Sequence, residues 1–303
     1  MTELAFNRDF DAVYGRPERL SGLVRRVVCA NPSPFTFKGT VSYIVGEGEV
    51  AIIDPGPEDN DHFRALLDAI HGETVSHIVV THSHRDHSGL VPRIKAATGA
   101  IVCAYGLRSG AARLGPASGD VPLDAAVDAG FRPDLQLAHG DAISGRGWIL
   151  EAVHTPGHTS DHLALALPEE NALFSGDHVM AWSTTVIAPP DGSMADYMAS
   201  LRLLLDRGEQ VYWPGHGPSV SAPKRFVRAL IAHRQMREAA ILDRLRRGDR
   251  TVMEAVRAVY ADLDPKLHRA AAMSALAHIE HLIAQGKVEA DGPLSLEANL
   301  RPV

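Results

Sequence analysis

The sequence predicts an α+β chain in which two β-sheets lie between helical layers, followed by a small C-terminal winged helix. Three observations carry this. Up to Gly217, β-branched runs alternate with amphipathic helical stripes. A long helical stretch then spans Ser221–Leu245 without a turn signal. Beyond Gly248 come a Thr-capped helix, a Pro-started helix and two short apolar runs, the pattern of three helices and a β wing.

Taken in order, Leu23–Ala30, Thr40–Val45 and Val50–Asp54 are β-branched runs broken by Gly and Pro, as in a meander. Asp61–Gly72 sets Phe63, Leu66, Leu67 and Ile70 on one helical stripe that Gly72 stops. Val75–Val80 reads as a buried strand, Leu90–Thr98 as a helix and Ile101–Ala104 as a strand. Gly106–Pro133 is rich in Gly, Pro and Ala with weak periodicity, as expected of a lid or substrate-facing loop. Strands are expected again at Leu135–Leu137, Trp148–Val153, Leu163–Leu167, Ala172–Phe174 and Val211–Trp213. Between the last two, Ser193 caps a helix reaching Gly208, with Asp196 at its third position. The long helix shows Phe226, Leu230, His233, Met236 or Arg237, Ala240 and Leu245 along one side. Thr251 and Glu254 then form a capping box, Asp264-Pro265 starts a helix running to Gln285, and Lys287–Ala290 with Leu294–Leu300 make the wing. The expected division is a core over 1–222, a connecting helix over 223–247 and a winged helix over 248–303.

The 303 residues are 45% hydrophobic and 22% charged, a globular composition with no apolar run long enough for a membrane helix. Residues 1–10 carry acids and no apolar core, unlike a secretory signal. Cys29 and Cys103 sit in apolar strand-like runs and read as reduced core residues, so a cytoplasmic setting is expected. The net charge of −7 argues against a general affinity for phosphate backbones. It conceals an asymmetry. Residues 222–250 hold nine basic and three acidic residues, a net +6, which reads as the solvated face of the long helix.

The chemistry is carried by His-x-His-x-Asp-His, at His82, His84, Asp86 and His87, directly after a buried strand. Imidazole nitrogens and carboxylate oxygens are the usual ligands of zinc. Four of them in six residues can face one point if the strand ends and the chain turns, and Ser88-Gly89 follows at once. His158 in Pro156-Gly-His158, Asp177 in Ser175-Gly-Asp177 and His216 in Pro214-Gly-His216 each stand at a strand exit beside Gly. No Ser nucleophile or Cys–His pair accompanies them.

In this order, the seven residues resemble the metallo-β-lactamase superfamily over residues 20–220. The resemblance implies an αββα sandwich with two divalent metals at one edge of the sheets. His82, His84 and His158 would hold the first ion, Asp86, His87 and His216 the second, and Asp177 would bridge them. Asp86 and Asp177 are thus the expected catalytic carboxylates. Zinc is the default metal, while manganese or iron also suits a His/Asp set. Two metals about 3.5–4 Å apart lower the pKa of a shared water, so the expected nucleophile is a bridging hydroxide. Ligand histidines usually donate their other N–H, and Asp54 and Asp161 are the candidate acceptors. Asp54 also matches a family position that supports the site, or it simply closes a turn. His162 and His178 adjoin the ligand loops and are expected to meet substrate. The remaining histidines read as surface, turn, strand or helix-packing residues.

The winged-helix end narrows the resemblance to the beta-lactamase-like protein 2 family, whose characterised members include a single-strand-specific endoribonuclease. Phe35-Thr-Phe-Lys-Gly-Thr40, Ser183-Thr-Thr185 and Asp196-Tyr-Met198 also match it. A main role as β-lactamase is disfavoured, because the best-known class of those enzymes has Cys where Asp177 stands. The substrate is expected to be a small ester, thioester or lactone, or single-stranded RNA, with the winged helix as a lid or homodimer element. RNA is weakened by the acidity and by only two aromatics after Trp213, Phe226 and Tyr260. The alternative is a winged-helix nucleic-acid-binding regulator with a retained metal site. Its recognition helix, Pro265–Gln285, carries only Lys266 and Arg269 as cations.

Overall fold

The computed structural model describes residues 4–106, 127–128, 130–261 and 268–303. Along the chain run β1 (Glu18–Arg19), β2 (Val24–Val28), β3 (Val41–Glu47), β4 (Glu49–Ile53), α1 (Asn60–Ala69), β5 (Thr74–Val79), α2 (Arg85–Ser88), α3 (Val91–Thr98), β6 (Ile101–Ala104) and β7 (Leu135–Gln136). Then follow β8 (Ala142–Gly145), β9 (Trp148–His154), β10 (Leu163–Leu167), β11 (Ala172–Gly176), α4 (Met194–Asp206), β12 (Val211–Pro214), α5 (Pro223–Arg246), α6 (Val252–Val259), α7 (His268–Ala284), β13 (Val288–Asp291) and β14 (Asn299–Pro302).

The first seven strands form one sheet in sequence order, antiparallel from β1 to β4 and parallel from β4 to β7. The second sheet has the order β12-β11-β10-β9-β8, parallel only between β11 and β12. Strand alternation explains the layers. In β3, Val41, Tyr43 and Val45 face the second sheet, while Ile44 joins α1 and α3 on the outer face. In β10, Leu163, Leu165 and Leu167 point inward, and the small Ala164 and Ala166 let α4 and α5 approach from outside. The result is an αββα sandwich, as expected. Cys29 and Cys103 are free and buried, and burial pushes their thiols up to about 12 and about 11.

The C-terminal unit is a winged helix. Thr251 and Glu254 make the capping box of α6, and β13 pairs with β14 as the wing. Its apolar cluster takes Val252 and Val256 from α6, Leu276, Ile279 and Leu282 from α7, and also Ile241, Leu242 and Leu245 from the end of α5. The start of α7 at Asp264-Pro265 and most of the Gly106–Pro133 lid segment lie outside the described residues.

Several details differ from expectation. The hairpin strand β8 holds one β-branched residue, Ile143, and forms because Trp148 folds over Gly145, where a Cβ would stand 2.4 Å from the indole. The second wing strand begins at Asn299 rather than Leu294, since this register buries Val288 and Leu300 together. The buried face of α5 runs through Val227, Leu230 and Arg234 to Ile241, leaving Met236 exposed. Arg234 therefore leaves the solvated basic face to which the sequence assigns it. His62 is buried rather than superficial, because it precedes Leu66 by one helical turn on the inner face of α1.

Candidate metal centre

All seven expected ligands converge where the ends of both sheets meet. The β5 strand delivers Thr81 and His82, the chain turns, and α2 projects Asp86 and His87 from its first turn. The β9–β10 loop brings His158, the end of β11 brings Asp177, and the end of β12 brings His216. His82, His84 and His158 form one triad, and Asp86, His87 and His216 a second, with Asp177 beside both.

Each half is built to offer lone pairs. In the first, His82 Nε2 is 2.8 Å from His84 Nδ1, which is 3.2 Å from His158 Nε2. Tetrahedral zinc with nitrogens at about 2.0–2.1 Å holds them roughly 3.3 Å apart, so this triad is of the right size. In the second, His216 Nε2 lies 3.3 Å from Asp86 Oδ2 and His87 Nε2 lies 3.4 Å from the same oxygen. The carboxylate of Asp177 is divided between the halves. Its Oδ1 is 3.6 Å from His87 Nε2 and 3.4 Å from His216 Nε2, while its Oδ2 is 3.8 Å from His158 Nε2.

The opposite ring nitrogens are engaged elsewhere, which fixes which nitrogen faces inward. His87 Nδ1 donates to Asp54 Oδ2 at 2.9 Å, His158 Nδ1 to the Val186 carbonyl at 2.7 Å, and His216 Nδ1 to the Gly39 carbonyl at 3.3 Å. His82 Nδ1 lies 3.1 Å from Thr81 Oγ1, whose own hydrogen goes to Asp54 Oδ2 at 2.7 Å. Facing the centre, His87 Nε2 and Asp177 Oδ1 are buried without a hydrogen-bond partner. Buried polar atoms are normally satisfied, so a cluster of orphans at one point fits a bound cation.

The electrostatics divide the same way. Burial, together with the imidazoles of His87 and His84, holds His82 well below its usual range, and burial beside His158 lowers His84 to about 3. These rings are neutral and ready to coordinate. Burial opposes charge on His87 and His216 too, yet it is outweighed. Asp86, Asp177 and Asp54 lift His87 well above the ordinary histidine value, and Asp177 with Asp86 lifts His216 to about 9. Conversely, His216 and His87 overcome burial to hold Asp177 well below the carboxylate range. A divalent cation would take the place of those protons.

The surrounding residues act as supports. Asp54 also accepts the Thr81 amide at 2.7 Å, with its own backbone at φ 50°. It thereby holds the turn and the His87 ring at once. Asp161, expected beneath a ligand histidine, instead accepts the Ser83 amide at 3.1 Å and so steadies the backbone between His82 and His84. His162 and His178 have no exposed surface, so they lie behind the centre and not in the path of a substrate. His162 Nε2 accepts the Asp177 amide at 3.1 Å and its Nδ1 pairs with Thr155 Oγ1 at 2.8 Å. Their position next to ligands in sequence misled, because His162 precedes and His178 follows strands, β10 and β11, that are buried at every position.

Sequence reasoning missed Thr81, His62, Thr185 and Gly215. His62 Nε2 lies 2.9 Å from Ser42 Oγ, which donates to the Asp54 carbonyl at 2.6 Å, so it supports the Asp54 turn from behind. Its spacing of four from Leu66 was the available signal. Asp54→Asn keeps an acceptor for the Thr81 amide but turns an NH₂ group toward the His87 Nδ1–H. We expect zinc affinity at the second half to fall about 10–100-fold in a metal titration, with the first half little changed.

An αββα sandwich with this His/Asp cluster at its edge defines a class, and comparison with known proteins agrees. The model of the Metallo-beta-lactamase superfamily matches residues 35–216, and that of the Beta-lactamase associated winged helix domain matches 251–293. A Drosophila melanogaster protein named Beta-lactamase-like protein 2 homolog is 33% identical over 277 residues, covering 89% of this chain and 91% of its own length. An atrochrysone carboxyl ACP thioesterase of Aspergillus terreus is 33% identical over 239 residues, 77% of this chain and 66% of its own length. A Burkholderia ambifaria beta-lactamase domain protein of known structure superposes with a TM-score of 0.79 at 21% identity, over 99% of this chain and 97% of that one, and so shares the fold. The chain belongs to the metallo-beta-lactamase superfamily of hydrolases, within the family of beta-lactamase-like protein 2. No helix among the described residues is long and apolar enough to cross a membrane.

Proposed function

We propose that this chain is a two-metal hydrolase of acyl thioesters. The observation that carries the reading is the Asp177 carboxylate, with Oδ1 toward His87 and His216 and Oδ2 toward His158. In this reading His82, His84 and His158 hold one divalent ion, Asp86, His87 and His216 the other, and Asp177 both. Such a pair, zinc by its imidazole and carboxylate donors, supplies an acidified water as nucleophile and positive charge to polarise the scissile carbonyl. The chain's own part is orientation. Asp54 and Thr81 set His87 and His82, Val186 sets His158, and buried His162 holds the Asp177 backbone.

Room for a substrate lies beside Asp86. A cleft of about 600 Å³, lined by Asn31, Thr36, Arg85, Asp86, Gly89 and Asp128, has the size of a small-molecule site. The thioester class rests on the name of the Aspergillus terreus relative. A cytoplasmic setting is supported by two free, buried cysteines. The division into a core over 1–222, a connecting helix over 223–247 and a winged helix over 248–303 belongs to the same reading.

The test is chelation followed by readdition of zinc, with an acyl-thioester panel and labelled single-stranded RNA as alternative substrates. Thioester turnover should disappear on chelation and return with zinc. RNA cleavage without thioester turnover would move the substrate class to nucleic acid. Turnover of either kind that survives full metal removal would overturn the hydrolase mechanism.

A further inference from the structure

Midway along α5 stands a cation that solvent does not reach. Arg234 is 3% exposed, within the apolar layer that α4 and α5 lay on the second sheet. One of its terminal nitrogens donates to the Thr185 carbonyl, and its guanidinium sits 5.2 Å from the centre of the Tyr197 ring. Its Nε has no acceptor, and no carboxylate among the described residues forms an ion pair with it. Burying a charge with so few partners costs stability, and methionine or leucine would fill the same layer without that cost. What the cation offers must lie in what it holds.

It holds the segment 183–187. The Thr185 hydroxyl stands 2.7 Å from the Asp177 carbonyl and 3.0 Å from the His178 carbonyl. The next carbonyl, that of Val186, is the acceptor for His158 Nδ1. The ring over which Arg234 lies is tied in too, for the Tyr197 hydroxyl donates to the His178 carbonyl at 3.0 Å. Tyr197 also lies against the Gly157 backbone next to His158, where a Cβ on Gly157 would come within 2.3 Å of the Tyr197 Cα. One guanidinium thus braces the backbone of Asp177 and the ring of His158 from below. Within the same turn of α5, Arg237 donates to the Val259 carbonyl at 2.9 Å and Glu238 accepts from His281 at 2.7 Å. The brace is therefore anchored to the winged helix.

We propose that Arg234 is a positioning residue of the metal centre, holding segment 183–187 so that His158 and Asp177 keep the bearing that joins the two halves. This rests on the two-metal reading. The experiment titrates the metal-depleted chain with Co²⁺ alone, followed by its visible spectrum, and compares Arg234→Met, Arg234→Gln and Arg234→Lys. Methionine fills the space without charge, glutamine is too short to reach the carbonyl, and lysine keeps a charged donor. We expect Arg234→Met to bind cobalt about tenfold more weakly with an altered spectrum. Its thioester kcat should fall about tenfold with KM nearly unchanged, and the metal-depleted chain should melt no lower than the parent. Arg234→Lys should recover much of the cobalt affinity. If Arg234→Met does not fold, Arg234→Gln gives the same readout. Unchanged cobalt affinity and spectrum in the neutral variants would overturn the proposal, as would weakening that tracks a lowered melting temperature in all three. A parent chain that takes up no cobalt would instead sink the two-metal reading itself.

Discussion

Asp177→Ala should lower hydrolysis by about 10²–10³-fold or more, the scale lost when a charge-organising group is removed from such a site. On the two-metal reading proposed above, the bound metal should drop from two ions per chain to one or fewer. The reason is that, among the described residues, Asp177 is the carboxylate that stands beside both halves. Asp86 Oδ2 lies beside His87 and His216, and the first triad is entirely imidazole. Without Asp177, the second half keeps Asp86 as its sole carboxylate, and the first loses its link to it. The backbone should stay in place, since the Asp177 amide and carbonyl are bound by His162 and Thr185 independently of the side chain. Metal content by elemental analysis, beside kcat, decides the matter. Two ions and full turnover in Asp177→Ala would sink the mechanism.

Gly215→Ala should cost nearly as much, although the residue binds nothing through a side chain. A Cβ at Gly215 would lie 2.7 Å from Asp177 Oδ1 and 2.7 Å from His87 Cε1. The backbone has nowhere to retreat. The Gly215 amide donates to the Gly176 carbonyl at 2.9 Å, and its carbonyl accepts the Val41 amide at 2.8 Å. The residue is thereby pinned to both sheets at once. The methyl group must displace the carboxylate or the ring, and displacements of about 1 Å at such a centre cost on the order of 10²-fold in rate. We expect loss of the second ion, retention of the all-histidine triad, and destabilisation of about 1–3 kcal/mol from overpacking. Normal metal content with normal kcat would show that the second half tolerates repacking.

Much of this centre was legible in the sequence, for a reason that can be stated. The expected ligands stand just beyond strand ends, with Asp86 and His87 on the short helix α2 that follows β5, and strand ends are read from local pattern alone. Alternation also gave the sandwich, since Val41, Tyr43 and Val45 or Leu163, Leu165 and Leu167 announce an inner face. What failed depends on distant partners. Nothing near His162 or His178 says that their rings turn inward under Asp177. Arg234 occupies an apolar phase of α5, but a basic run around it hides the exception. The wing strand was misplaced because its register is set by what Leu300 packs against, and β8 because a tryptophan three residues beyond its end supplies the hydrophobic surface that its own residues lack.

The shared helix carries a last consequence. Val227 and Leu230 of α5 belong to the apolar layer beneath the second sheet, while Ile241, Leu242 and Leu245 belong to the C-terminal cluster. A rod built into both ends leaves no seam along which the chain could be cut and its tail exchanged for another. Any transplant of the C-terminal unit must carry α5 with it, and so must carry Arg234 and a share of the floor under the metal centre. The accessory unit and the reactive edge are inherited together.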